Sequence, residues 1–306
     1  MLAVSDAVVA EGLVKHWGAT SVLAGATFTI RTGVTGLLGA NGAGKTTFLG
    51  MVLGLHHAES GDLRVFGLDP RTAGPAVRAR IGYAPEHESL PPDVRAHDFV
   101  RHVAELHGIP RNRAVARASD ALFEVGLGEE RFRPLGTMST GQKQRVKLAQ
   151  AIVHDPALVL LDEPTNGLDP MQRAQMLALI RRCGTDLGLT VVLSSHLLDE
   201  VERTCDRVVI LANGRAAGGG GVSDLESEGA DIEIDIAGPI DAAVAALGAA
   251  GLRVAVANAS VVRVAYETDE TYDQIARALS SVAVPVRRLQ RTRRTLEDAF
   301  LEAIAP

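Results

Sequence analysis

The sequence predicts an α/β protein: a mainly parallel, helix-covered sheet with a helical insert, followed by a small α+β domain of ferredoxin-like order. Three observations predict it. Short β-branched and apolar runs alternate with helical patterns over the first two thirds of the chain, as strands buried on both faces do. The stretch from about Ala96 to Gln150 is helical in period, rich in Ala and Arg, and shows no convincing strand. From Asp231 onward the order reads β-α-β-β-α-β with a closing helix.

Taken in order, Val34–Leu38 reads as a buried strand that runs into a glycine-rich loop and then a helix starting near Lys45. Ala157–Leu161 and Thr190–Leu193 are further short apolar strands. Val208–Leu211, the Asn213-Gly214 pair and Arg215 onward form a hairpin signal, because both turn positions tolerate positive φ. Four glycines, Gly218 to Gly221, precede Ser223, a plausible helix N-cap. Asp231–Ile236 then alternates as a half-buried strand does. Pro239–Ala250 is helical, Leu252–Ala257 and Val261–Tyr266 are strands, Glu270–Leu279 is helical and Val284–Leu289 is a strand. Leu296–Ile304 closes as a helix. The change of character sets an expected boundary between residues 1–228 and 229–306.

Length and composition bound the function. The 306 residues suit one large domain plus a small one, and 46% hydrophobic with 22% charged residues is globular composition. The net charge of -6 argues against a general nucleic-acid binder. Cys183 and Cys205 lack metal-ligand spacing and read as reduced cytosolic thiols. The N-terminus carries Asp6 and Glu11 without a basic start, unlike a signal peptide. No uncharged apolar run reaches 18 residues, so no membrane-spanning helix is expected.

Chemistry concentrates in two places. Gly39, Ala40, Asn41, Gly42, Ala43, Gly44, Lys45 and Thr46 match G-x-x-x-x-G-K-[ST], with Thr47 next on the helix. The glycines let backbone N–H groups turn inward around a polyphosphate. Lys45 adds a charge near the β- and γ-phosphates, and Thr46 offers a hydroxyl to Mg²⁺. The helix directs its positive end at the same anion. Lysine occurs only at Lys15, Lys45, Lys143 and Lys147, which makes a chance match rare. The second place is Leu158–Leu161 followed by Asp162 and Glu163, two carboxylates at the C-terminal end of a strand. Alone, such a pair is usually a turn. Beside a phosphate loop, Asp162 is suited to hold Mg²⁺ and Glu163 to orient or activate a water. Adjacent strand residues face opposite ways, so the two need not share a role.

Between them, Met138, Ser139, Thr140, Gly141 and Gln142 resemble the signature motif of ABC ATPases, which reads Leu-Ser-Gly-Gly-Gln. The resemblance covers essentially the whole chain and implies a P-loop NTPase, ABC-type nucleotide-binding domain that binds ATP with Mg²⁺. It places Trp17 where an aromatic stacks on adenine, a position a core or surface aromatic also fills. It places Asp169, in Asn166-Gly167-Leu168-Asp169, in the loop coupling two sites, and His196 as the switch histidine. Asp199, Glu200 and Glu202 read as a solvated helix face. The tail through Thr295-Leu296-Glu297-Asp298-Ala299-Phe300-Leu301-Glu302 resembles the extension of export-type subunits paired with ABC-2-type permeases.

What the resemblance implies is concrete. Lys45, Glu163 and His196 carry catalysis. Asp162, Thr46 and Glu86 serve the metal. Two ATP molecules sit between Gly39–Thr47 of one subunit and Ser139–Gln142 of a second copy or a paralogue. The chain then works at the cytoplasmic membrane face through the permease. Two departures stand out: Glu86 replaces a glutamine, and Thr140 replaces the first signature glycine. A soluble ABC ATPase acting on translation or nucleic acid is the competing class, favoured only by the run Arg287, Arg288, Arg291, Arg293, Arg294. That run reads first as a solvated strand edge, then as a contact for anionic lipid or an acidic regulator.

Overall fold

The computed structural model describes residues 6–87, 90–222, 231–266, 268–292, 296–298 and 300. The chain divides at Gly220/Gly221 into two compact units.

The large unit has two sheets. One has six strands in the order β5-β6-β7-β3-β8-β9: β3 (Val34–Leu38), β5 (Ile81–Ala84), β6 (Leu158–Asp162), β7 (Thr190–Ser195), β8 (Arg207–Ala212) and β9 (Arg215–Gly221). Pairs β5/β6, β6/β7, β7/β3 and β3/β8 are parallel. Every residue of β3, β6 and β7 is buried, which is why these strands read as unbroken apolar runs. Register places Leu38 beside Ser195 and Asp162 beside Ser194, so the strands end together at one edge. Asn213 and Gly214, at φ 50° and 73°, make the tight turn into β9 that the dipeptide predicts.

The second sheet was not visible in the sequence. It is antiparallel, in the order β2-β1-β4, from β1 (Asp6–Trp17), β2 (Thr20–Arg31) and β4 (Ser60–Val65). Register shifts interrupt the β1/β2 pairing at four points, so the two-residue alternation never runs long enough to recognise. Helix α1 (Lys45–Val52) packs between the sheets, and Phe48, Leu49 and Met51 join Leu13, Leu23, Leu37 and Leu63 in one core. The glycine-rich loop is thereby anchored from both sides.

After α2 (Gly74–Arg78), the insert comprises α3 (Ala96–Leu106), α4 (Arg111–Glu124), two 3₁₀ turns (Glu129–Phe132, Leu135–Thr137) and α5 (Thr140–Ile152). No strand occurs among its described residues, and α5 packs directly on β5. Helices α6 (Pro170–Thr185) and α7 (Leu198–Thr204) flank β7.

The small unit follows β10 (Asp231–Ile236), α8 (Ile240–Ala249), β11 (Val254–Val256), β12 (Val261–Ala265), α9 (Glu270–Ser281) and β13 (Val286–Thr292). The sheet order is β11-β12-β10-β13, all pairs antiparallel, which is the ferredoxin-like arrangement. Ile232, Ile234, Ile236, Val262 and Val264 share its core with Leu247, Ile275 and Leu279. Residues 296–298 and 300 are helical; Ser223 and most of the predicted closing helix lie outside the described residues. On the other sheet face Asp235 lies opposite Arg288, Glu233 pairs with Arg263 at 3.5 Å, and Arg287 approaches Asp235 at 3.7 Å. The described arginines of the basic run are exposed and partly neutralised by β10, a solvated strand edge. Arg293 and Arg294 lie outside the described residues.

Gly82 on β5 permits the close approach of α5, since a Cβ there would run into the carbonyl oxygen of Ala151. Gly82→Ala should therefore destabilise the chain by about 1–3 kcal/mol, read as a lower urea midpoint with unchanged m-value.

Candidate active site

Residues 39–44 leave the end of β3 and turn into α1. Gly44 sits at φ 99°, and a Cβ there would lie 2.9 Å from the Val22 carbonyl oxygen, so only glycine fits. Helix α1 has no side-chain N-cap and no acidic residue in its first turn. Its first N–H groups are left without a side-chain cap, which suits an anion. Lys45, 6% exposed, folds back over the loop: Nζ donates to the Gly39 carbonyl at 2.7 Å and lies 3.2 Å from Glu163 Oε1.

The carboxylates take different places, by a route other than strand alternation. Asp162 ends β6, where Oδ1 accepts from Ser194 Oγ at 2.8 Å and the carboxylate also bonds Thr46. Burial pushes the Asp162 carboxyl above its ordinary range, while those two hydrogen bonds hold it down. Asp162 Oδ2 is buried without a hydrogen-bond partner. Glu163 lies past the strand at φ 47°, a left-handed conformation uncommon for a side chain of its size. That turn brings it back toward the loop. Oε2 meets His196 Nδ1 at 2.9 Å, while Oε1 faces Lys45 as an ion pair without hydrogen-bond alignment.

These groups line a cavity of about 520 Å³ shared by residues 40–42 and 44–47, Trp17, Glu86, Glu163 and His196. An ammonium, a helix N-terminus, a phosphate-type loop and the Glu163 carboxylate converge there, with Asp162 behind the lining and bonded to Thr46, an arrangement suited to holding and cleaving a polyphosphate.

The chain is similar to known proteins. A family model described as ABC transporter matches residues 23–166. The linearmycin resistance ATP-binding protein LnrL of Bacillus subtilis is 34% identical over 71% of this chain and 70% of its own. The daunorubicin resistance ATP-binding protein DrrA3 of Streptomyces coeruleorubidus is 30% identical over 96% of this chain and 95% of its own. A solved ATP-binding subunit of an ABC transporter superposes with a TM-score of 0.63 at 29% identity, covering 72% of this chain and 91% of that one. This chain is an ATP-binding subunit of the ABC transporter family. Its large unit is the P-loop NTPase nucleotide-binding domain, and its activity is ATP hydrolysis.

The ABC subunit brings some expected residues to the cavity and leaves others away from it. Trp17, 48% exposed, stands at the rim, edge-on to His56 at 5.0 Å, with Nε1 donating to Thr47 Oγ1 at 3.3 Å. Ala43 does not face the cavity. Its side chain packs on the core, and its N–H donates to the Ala40 carbonyl at 3.1 Å. Ser139, Thr140, Gly141, Gln142 and Asp169 lie outside the cavity lining. Ser139 and Gln142 form a reciprocal capping box at the start of α5, and Asp169 caps α6 through Gln172 N at 2.8 Å. Glu86 lines the cavity, its Oε1 accepting from Asn166 Nδ2 at 3.1 Å.

Glu200 corrects the solvated-face reading: it is fully buried. Helix α7 packs on β3 and β7 through Glu200, Val201 and Thr204, so its inner face includes one acid. Glu200 Oε2 accepts from Ser195 Oγ at 2.7 Å, and Arg173 lies 3.5 Å from its other oxygen. Ser195 Oγ in turn accepts from Leu197 N at 3.0 Å, so this hydroxyl ties the backbone just after His196 to Glu200 on α7. Sequence reasoning missed Thr20, Val22 and Ser194. The first two reach the cavity from a strand that carried no alternation signal, and Ser194 is an unremarked strand residue until its pairing with Asp162 is known. Both cysteines are buried, with thiols pushed up by burial to about 11 for Cys183 and about 12 for Cys205.

Because the folded-state pKa of Asp162 is raised, the nucleotide-free chain loses stability as pH rises through the range just above the ordinary carboxylate value. Asp162→Asn keeps the Ser194 hydrogen bond without the buried charge. The nucleotide-free variant should melt roughly 2–4 °C higher at pH 7, the shift of about 1 kcal/mol at this size, by differential scanning fluorimetry.

Proposed function

We propose that this subunit powers export through a separate membrane permease, by closing on ATP with a second copy of itself or a paralogue and opening after hydrolysis. The observation that carries the mechanism is Glu163, held between Lys45 and His196 at the shared edge of β3, β6 and β7. Lys45 exchanges its contacts with Gly39 and Glu163 for phosphate oxygens. Glu163 then keeps His196 as its partner and accepts the proton of the attacking water, or aligns it. His196 reaches the same phosphate from the end of β7 and links Glu163 to it.

The residues fit Mg²⁺: the unpartnered Asp162 Oδ2, the Thr46 hydroxyl beside it and the Glu86 carboxylate in the same cavity form an oxygen donor set. Mg²⁺ neutralises the polyphosphate when bound. Helix α5 has no acidic residue in its first turn, so its capped N-terminus offers positive potential to the γ-phosphate on a second copy. Export is carried over from relatives named for drug resistance and Nod factor export. The ABC-2 class of permease and a peripheral place on the cytoplasmic membrane face are carried over from the resemblance of the tail, Thr295 to Glu302, to export-type subunits. No described helix is long and apolar enough to cross a membrane.

Two measurements test this. Detergent-solubilised affinity purification from native cells should bring down a polytopic membrane protein at near-equal stoichiometry; recovery with ribosomes or nucleic acid instead would overturn the transport reading. Glu163→Gln should lower kcat by roughly 10²–10⁴ while leaving ATP affinity within about threefold of wild type. Retained turnover would remove Glu163 from its role.

A further inference from the structure

Helix α5 carries a polar stripe that the catalytic motifs do not use. Gln144, Lys147 and Gln150 recur every three residues and share one helix face. Each donates to backbone carbonyls: Gln144 and Lys147 to the loops that edge the cavity, Gln150 to β5. Gln144 Nε2 reaches the Asn166 carbonyl at 3.4 Å, and Gln150 Nε2 the Tyr83 carbonyl at 3.3 Å. Lys147 Nζ reaches two, the carbonyls of Pro85 at 2.8 Å and of Glu86 at 2.9 Å.

We propose that Lys147 is a positioning residue: its ammonium fixes Glu86 at the metal side of the nucleotide cavity and ties that loop to α5. Lys147 is 2% exposed, an uncommon burial for lysine, and charge-assisted hydrogen bonds are about twice as strong as neutral ones. The two acceptors are the carbonyls on either side of the Glu86 Cα. Holding both peptide planes fixes the backbone of Glu86, and with it the direction in which the side chain leaves the chain. The carboxylate end is fixed separately by Asn166 Nδ2, whose own carbonyl is held by Gln144. Glu86 is thus located at three points, all answering to one helix. The capping box at the start of that helix runs from Ser139, about 12 Å from Lys147 along the axis, to Gln142, about 8 Å from it. A displacement of the end that faces a second copy therefore carries Glu86 with it.

The inference rests on the proposed metal role of Glu86, and the test separates the two. Mn²⁺ replaces Mg²⁺, and free Mn²⁺ is followed by electron paramagnetic resonance in the presence of a non-hydrolysable ATP analogue. Glu86→Gln and Lys147→Met should each weaken Mn²⁺ binding about tenfold, the usual scale for groups that orient metal ligands. The double variant should be within twofold of Glu86→Gln alone, because both act through one carboxylate. Lys147→Arg, with two N–H donors for the two carbonyls, should stay within threefold of wild type. Analogue affinity in EDTA, read from the quenching of Trp17, should not change. If Lys147→Met does not fold by circular dichroism, Lys147→Gln, with one amide donor, is titrated in its place and should show a smaller loss in the same direction. Additive losses, or unaltered Mn²⁺ affinity in the lysine variants while Glu86→Gln weakens it, would overturn the positioning role alone. No effect of Glu86→Gln would remove the metal role of Glu86 and this inference with it.

Discussion

A buried ammonium governs the architecture. Lys45 is withdrawn from water at the start of α1, and a charge in that position needs opposing groups close by. The Gly39 carbonyl and the Glu163 carboxylate supply them. Those two groups sit just beyond β3 and just beyond β6, strands that are not neighbours in the sheet; β7 lies between them and contributes Ser194 and, just past its end, His196. The parallel sheet is therefore what brings the loop, the acids and the histidine to one edge. The antiparallel sheet and the core around Phe48 hold α1 at the height where its lysine meets them.

Much of this was legible in the residues. The phosphate loop and the Asn213-Gly214 turn carry their geometry in short local patterns, because each depends on backbone conformations that few residue types adopt. The acidic pair was legible by its place at a strand end, but the left-handed turn at Glu163 was not. The small unit was readable for a related reason: the alternation of Asp231–Ile236 runs its full length unbroken. The antiparallel sheet was not, since bulges in β1 destroy the period that would have announced it. Glu200 misled because three acids within four positions look solvated, while the face of α7 that meets the sheet is set by tertiary packing. Lys147 was counted only as a scarce lysine. Its partners are backbone carbonyls some 60 residues away, and such acceptors leave no trace in composition.

The two departures from the family pattern acquire different weights. Thr140 is exposed at the first turn of α5, where a side chain is accommodated without displacing the capping box. Glu86 stands inside the cavity, and its charge is felt by Asp162 and by Tyr83, whose hydroxyl burial pushes up to about 12 with both carboxylates adding to the shift. A second acid beside Asp162 makes the ligand-free cavity electrostatically unfavourable and a bound cation correspondingly favourable. The arginines of β13 have a simpler account, since acidic residues of β10 face or pair with part of the run.

The left-handed backbone at Glu163 has an evolutionary reading. Such a conformation costs a side-chain-bearing residue of order 1–3 kcal/mol, a cost that glycine there would avoid. Selection for a sturdier fold thus pulls this position toward glycine, and the turnover role proposed for the glutamate is what opposes that pull. In a gene copy freed from the need to hydrolyse ATP, this is among the first positions where drift would be rewarded. The identity of the residue after β6 thereby becomes a record of whether a lineage has kept its engine running.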